Sequence, residues 1–505
     1  MSVIKRVLIA FLCVVFVLSL FGCRGNLKSG ELIIEEGASE INLAVFDIDT
    51  LNPVRTKSQS VSEMLSLIYE PLFTFDEKLN PIPCLAKSAL VSSDGLSVKI
   101  VPETGIMWHS GTSFVADDIV YTVNEIKNGE SVYKHNVKAI EEMAVDTDGS
   151  VVMTLREPVM NIEGLLSFPI IRNGSSAEIG EMPDGTGAFS VKEKNATSIQ
   201  LTANKYREKS SVSAVNVSIM RNAAACLNAF EANELDLITS AAVDLGEKTP
   251  AGDIEIHQYT SNRMTFLGFN CALEKYKTPY LRLAMSGIID REKIVEKALF
   301  GRGAVCRLPF NPVSSIYTET DGPEIDISGA FSKAGYTKIN GMYLSETGEQ
   351  VKADILVSQD SARKVSVAQM LAEQLEAEGV DVSVTVIPYD NYLSRIDTKE
   401  YDMFIGDVTM SDNLCPDFLT ADGNFFGYFD QQMSDAVYAM KSAKGDALKN
   451  AMLDYERVFT INPPFAPLYF SNDGVVYKKN ISGITEPNFY NCLTGLDKMY
   501  LKAVK

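Results

Sequence analysis

The chain has 505 residues, with 66 acidic against 46 basic side chains and a formal net charge of −20. That balance argues against nucleic acid or an anionic membrane face as a partner, and it draws cationic or ammonium-bearing ligands at long range. The length exceeds what one hydrophobic core organises and predicts two or three domains.

Taken in chain order, Lys5 and Arg6 precede an apolar stretch over 7–21 that closes on Gly22-Cys23. A core this short, with basic residues before it and a small residue at the break, reads as a secretory signal rather than a span. The Gly-Cys ending resembles a bacterial lipobox, in which Cys23 becomes the lipidated first residue of the mature chain; the alternative is an uncleaved N-terminal anchor. Removing Lys5 and Arg6 takes the charge from −20 to −22. Either way the body is expected outside the cytoplasm, held to a membrane through a polar tether over 23–31. No other stretch reaches the ~20 apolar residues that a span requires.

Residues 41–46 read as a strand and Asp49-Thr50-Leu51-Asn52-Pro53 as a turn. Val61, Met64, Leu65 and Ile68 have helical spacing and predict a helix over 61–69. Strands are expected over 97–101 and 151–155, each behind a turn signal, Asp94-Gly95 and Asp148-Gly149. Between them Ile119, Val123 and Ile126 put one apolar stripe on a helix whose first turn carries Asp117 and Asp118, the charge the helix dipole favours there. Residues 189–192 and 198–202 predict a hairpin.

The second half changes character. A strand over 353–357, a helix over 361–378 stopped by Gly379, a strand over 380–387, a helix over 391–396 and a strand over 401–405 predict a parallel sheet with right-handed crossovers. Ligands in such sheets bind beyond the carboxyl ends of the strands. The segment 406–413, carrying Asp407 and Asp412, emerges at such an end and can hold an ammonium through charge-assisted hydrogen bonds; a solvated turn fits the same pattern. Apart from Cys13 and Cys23, six of the eight cysteines stand singly, at Cys84, Cys226, Cys271, Cys306, Cys415 and Cys492. With no CxxC pair, neither a zinc site nor a thioredoxin-type motif is indicated, and no cofactor is expected. Disulfides and small buried thiols are both open on spacing alone.

Several stretches resemble one family, the bacterial extracellular solute-binding proteins of the oligopeptide, dipeptide and nickel type (family 5). Leu51-Asn52-Pro53, Ile68-Tyr69-Glu70-Pro71-Leu72-Phe73 and Pro83 to Ala86 are similar to its opening. Asp94-Gly95-Leu96, Trp108-His109-Ser110-Gly111-Thr112 and Ala116-Asp117-Asp118-Ile119-Val120-Tyr121 resemble its most diagnostic stretch. Gly185-Thr186-Gly187-Ala188-Phe189 is similar to its glycine-rich turn, Leu267-Gly268-Phe269-Asn270 and Ile289-Asp290-Arg291-Glu292-Lys293-Ile294-Val295 to its hinge and following helix, and Pro467-Leu468-Tyr469-Phe470 to its late aromatic strand. The resemblance implies an α/β, two-lobed periplasmic-binding-protein-like (type II) fold with a hinge and an inserted β-rich subdomain. Its expected parts are a signal over 1–22, a tether over 23–31, lobe I from 32–74, 176–262 and 480–505, the subdomain over 75–175, and lobe II over 263–479. Trp108 and His109 lie between a predicted strand and helix and are expected to fix a turn; Asp290 can cap the helix that follows it, and Gly301 can end it.

The resemblance also implies a non-enzymatic receptor whose lobes close on a short peptide and present it to ABC permease subunits. It carries Asp412, beside Asn413, into the role of partner to the ligand's α-ammonium, with Thr409 where such proteins have a tryptophan. Lys57 to Ser60, including Gln59 and Ser60, resembles the stretch whose backbone aligns an extended peptide, a mode with little sequence preference. Asn270 and Phe470 are candidate cleft residues, and either fits packing as well. A monomer is expected, with no nucleic-acid partner. Other cargo (a nickel chelate, haem, an oligosaccharide) and a peptide-signal sensor remain open alternatives. His109, His135 and His257 have no ligand spacing to one another, so a direct metal site is not expected. An extracellular hydrolase is disfavoured, because no G-x-S-x-G elbow or HExxH occurs.

Overall fold

The computed structural model describes residues 39–175, 182–245, 248–316, 325–420 and 424–502. The expected signal, the tether and Cys23 lie outside the described residues. Alternating Ile41, Leu43 and Val45 bury one face of strand Ser39–Val45. It pairs in parallel with Val212–Ile219, which continues antiparallel through Ser198–Ala203 to Phe189–Lys194, the latter two forming the expected hairpin.

The expected helix over 61–69 is displaced: it runs Gln59–Leu65. Its predicted last turn has a tertiary use instead. The carbonyls of Leu67 and Ile68 accept from the amides of Phe189 and Gly187, which draws them out of a helical ladder. A Cβ at Gly185 would sit 1.9 Å from the Ile68 carbonyl oxygen, so the glycine-rich turn lets two backbones touch.

A second four-stranded antiparallel sheet runs Ala86–Val91, Ser97–Pro102, Val151–Leu155, Ile140–Val145. Helix Ala116–Asn128 turns Ile119, Val123 and Ile126 inward as expected. Asp118 in its first turn is buried and accepts from the indole N–H of buried Trp108 (3.1 Å) and the amides of Val115 (2.9 Å) and Asn173 (2.8 Å). Trp108 is thus a structural residue. His109 bridges to the glycine-rich turn: Nδ1 accepts from the Gly185 amide and Nε2 bonds the Gly187 carbonyl.

The βαβαβ unit forms as Lys352–Ser358, Ala362–Glu378, Asp381–Ile387, Tyr389–Asp397 and Met403–Thr409, its two outer strands parallel to the first. Ser361 caps the long helix by accepting from the Lys364 amide, and Gly379 ends it at φ +105°. Asp290 caps its own helix in the same way, through the Lys293 amide. The last strand runs four residues past its expected end. Residues 406–409 pair antiparallel with Arg263–Phe266, so a long partner strand supplies hydrogen bonds where the parallel neighbour has ended. Thr409 therefore lies in a strand, and the loop proper begins at Met410.

Two long strands, Ile254–Phe269 and Phe465–Lys478, join the halves of the molecule. Their register breaks between Thr260 and Met264. On one side Val475 and Tyr477 enter a core shared with the first sheet and the subdomain; on the other Met264, Phe266, Phe465 and Phe470 enter the core of the βαβαβ unit. The six cysteines at 84, 226, 271, 306, 415 and 492 are free thiols, five of them buried, which settles the alternative left open by their spacing.

Candidate functional site

A cavity of about 540 Å³ lies where the two cores meet. Helix Gln59–Leu65 and the residue before it supply Glu63, Gln59 and Ser58 to its wall, the long strands supply Tyr259, Arg263 and Asp473, and the segment after them supplies Tyr490. Tyr259 and Asp473 are cross-strand partners, and Arg263 sits within the register break. Local irregularity of this kind aims side chains out of a ladder, here into the cavity.

Glu63 accepts from Gln59 Nε2 at 3.0 Å and from the Thr239 hydroxyl. Burial pushes its carboxyl up to about 7, and the nearby Asp473 carboxylate adds to the shift. Burial also raises Asp473, against the opposing pull of the Arg263 guanidinium. Among the described residues no hydrogen-bond donor or ion-pair partner reaches the Asp473 carboxylate. Carboxylates and the Arg263 guanidinium share this wall, an arrangement that binds charge.

The residues expected at the site scatter. Gln59 lines the cavity, and its amide also bonds Ser240 Oγ at 3.1 Å. Ser60 is buried and turns away, its hydroxyl donating to the Phe46 carbonyl at 2.8 Å. Asn270 is buried elsewhere, its side-chain amide donating to the carbonyls of Lys399 and Tyr401, both at 2.9 Å. Phe470 is wholly within the βαβαβ core, because its place in the strand register faces that side. Thr409 is exposed and off the cavity wall, and Asn413 is buried, its side-chain Oδ1 accepting from the Cys415 amide.

Asp412 stands behind the cavity, not on its wall. It accepts from Asn136 Nδ2 at 2.7 Å, from Ser167 Oγ at 3.4 Å and from the Tyr490 hydroxyl. Burial raises its carboxyl, and these donors, with His135 nearby, pull it back down. Next to it Ser411 Oγ bonds His135 Nε2 at 3.0 Å. Asn262, at the register break, holds this loop in place: its side chain donates to the Met410 carbonyl and to Tyr490 Oη.

Glu63, Tyr259, Arg263, Asp473 and Tyr490 were not singled out in the sequence. One signal for two of them was present: Arg263 interrupts a strand-like run that ends Met264-Thr265-Phe266-Leu267, and Asp473-Gly474 interrupts the apolar run over 465–477. A charge inside an otherwise apolar strand marks a place where the strand leaves its core.

Residues 80–425 match the family described as bacterial extracellular solute-binding proteins, family 5 Middle. The oligopeptide-binding protein AppA of Bacillus subtilis is 22% identical over 524 residues, an alignment spanning 95% of this chain and 96% of that one. The structure of AppA from Bacillus subtilis in complex with a nonapeptide superposes with a TM-score of 0.63 at 20% identity, covering 92% of this chain and 99% of the other. A nickel ABC transporter structure from Bacillus halodurans superposes with a TM-score of 0.76 at 18% identity, covering 91% and 99%. The fold is the two-lobed one of these proteins, and the chain belongs to the family 5 bacterial extracellular solute-binding proteins.

Proposed function

We propose that the chain is the extracytoplasmic binding component of an ABC importer, anchored through a lipid on Cys23, and that it takes short peptides into the inter-lobe cavity without turning them over. The observation that carries this reading is the cavity itself. Its volume of about 540 Å³ falls within the range of small-ligand sites, and both halves of the molecule build its wall. Its lining supports peptides as cargo, because Arg263, Glu63 and Asp473 all line it and offer opposite charges to the two ends of a zwitterion. The three histidines are engaged elsewhere: His109 with the glycine-rich turn, His135 with Ser411 and His257 with Glu255.

Calorimetric titration and thermal-shift measurement of the purified chain test this. Short peptides are expected to saturate a single site, and at a hundredfold excess over the dissociation constant to stabilise the fold by about 2.7 kcal/mol. Saturation by a nickel chelate, haem or an oligosaccharide, with no response to peptides, would discard the peptide assignment and leave the receptor role standing.

A further inference from the structure

The acidic residue expected to meet a ligand's ammonium is already engaged. The Asp412 carboxylate takes hydrogen bonds from Asn136, Ser167 and Tyr490, and its backbone carbonyl presses on Gly164 so closely that a Cβ there would lie 2.4 Å away. The charged residues on the cavity wall are Lys57, Glu63, Glu70, Arg263, Asp473 and Asp497. Lys57 pairs with Glu130, and Glu70 pairs with Arg207. Among the described residues Arg263 has no ion pair, and it shares the wall with more carboxylates than cations. Among the same residues Glu63 has hydrogen-bond donors but no ion-pair partner, and Asp473 has neither. Two half-buried carboxylates close enough to repel each other are relieved by a cation placed between them.

We propose that Glu63 and Asp473 receive the cationic group of the ligand, and that Asp412 fastens lobe II to the subdomain instead. The inference rests on the peptide reading above. The shared chemistry is an ammonium or guanidinium, supplied by the peptide's free amino terminus or by a basic side chain, and held by charge-assisted hydrogen bonds.

Calorimetry on the purified chain with neutral tripeptides, their N-acetylated forms and N-acetylated lysine tripeptides tests it, in wild type and in Glu63→Gln, Asp473→Asn and Asp412→Asn. Loss of at least tenfold in affinity is expected in E63Q and in D473N, with a much smaller change in D412N. Neutral peptides that bind only with a free amino terminus assign the group to the α-ammonium. N-acetylated lysine peptides that bind when N-acetylated neutral ones do not assign it to the side chain. Equal binding of free and N-acetylated neutral peptides, or large loss in D412N with none in E63Q and D473N, overturns the proposal while leaving a peptide receptor. Failure of every peptide to bind the wild type removes the peptide reading and this proposal with it.

Discussion

Glu63 illustrates how a binding residue taxes the fold that carries it. Its carboxyl titrates near 7 in the folded chain, against an ordinary value of 4.5. A raised value means that its contribution to stability is complete below about pH 4.5 and is lost as pH rises through 7. Glu63→Gln does not titrate, so its melting temperature relative to wild type is expected to climb between pH 5 and pH 8. A difference that stays constant over that range would show that the carboxyl is not perturbed. The groups facing Glu63 are Gln59 and Thr239, which stay neutral, the Cys492 thiol and the Asp473 carboxylate. Of these the Asp473 carboxylate is the one that opposes ionisation of its neighbour. The same substitution is expected to weaken ligand binding, a trade of function for stability common at built sites.

Ligand affinity has its own pH signature at this scale. A cation favours ionised Glu63, so affinity rises as pH climbs through 7; an α-ammonium loses its proton near 7.7–8.0, so affinity falls again above that. The expected profile is a maximum between about pH 7 and 8, read by titration calorimetry at successive pH values with a free-amine peptide. An affinity independent of pH from 5 to 8 would count against Glu63 as a ligand partner.

At the scale of elements, the glycine-rich turn at 185–187 and the segment after helix Gln59–Leu65 are two backbones locked face to face. Ile68 atoms that a Gly185 Cβ would strike are a backbone carbonyl oxygen at 1.9 Å and its carbon at 2.7 Å, neither of which moves cheaply. Gly185→Ala is expected to cost roughly 1–3 kcal/mol or more, seen as a lower urea midpoint at unchanged slope. An unchanged midpoint would mean that the two segments part without penalty. This contact also shows what the sequence could reveal. Periodicity found the helix, because Val61, Met64 and Leu65 are local information, and it overran the end because the carbonyls of Leu67 and Ile68 are claimed by residues 120 positions away. Strand Met403–Thr409 was cut short for the same reason: its last residues hydrogen-bond to Arg263–Phe266, a partner no local pattern announces. Helix ends such as Asp290 and Gly379 were legible because capping is settled within four residues. The cavity wall was not, because Glu63, Arg263 and Asp473 come from three distant segments, and only the antiparallel pairing of the two long strands brings the last two together.

For the whole molecule, the decisive contact is between the loop after Met403–Thr409 and the subdomain. Met410, Leu414 and Cys415 belong to the core of the βαβαβ unit, while Ile162, Leu165 and Leu166 belong to the other core, so Asp412 on Gly164 is a contact between segments that pack into different cores. A Cβ at Gly164 would lie 2.4 Å from the Asp412 carbonyl oxygen and 3.1 Å from its carbon, so a side chain there forces this loop and the subdomain apart. Within its own short helix, Ile162–Leu165, alanine is the better helix former, and the one subdomain atom it crowds is the Asn161 side-chain nitrogen at 3.2 Å, which shifts by a few tenths of an ångström. Gly164→Ala therefore acts chiefly on the seating of the loop after Met403–Thr409 against the subdomain. If ligand binds the closed state, its apparent affinity falls by the fraction of molecules still able to close. The expected result is a tenfold or greater loss of affinity, an unchanged melting temperature without ligand, and a larger radius of gyration than wild type in scattering at saturating ligand. Unchanged affinity would show that closure on the subdomain is not coupled to binding, whereas a fall in the unliganded melting temperature would place the damage in the fold. Because Gly164 does not line the cavity, the pairing of this variant with Glu63→Gln separates the energy of closing from the energy of contact: the first should lower affinity for every ligand alike, the second only for those that bring a cation.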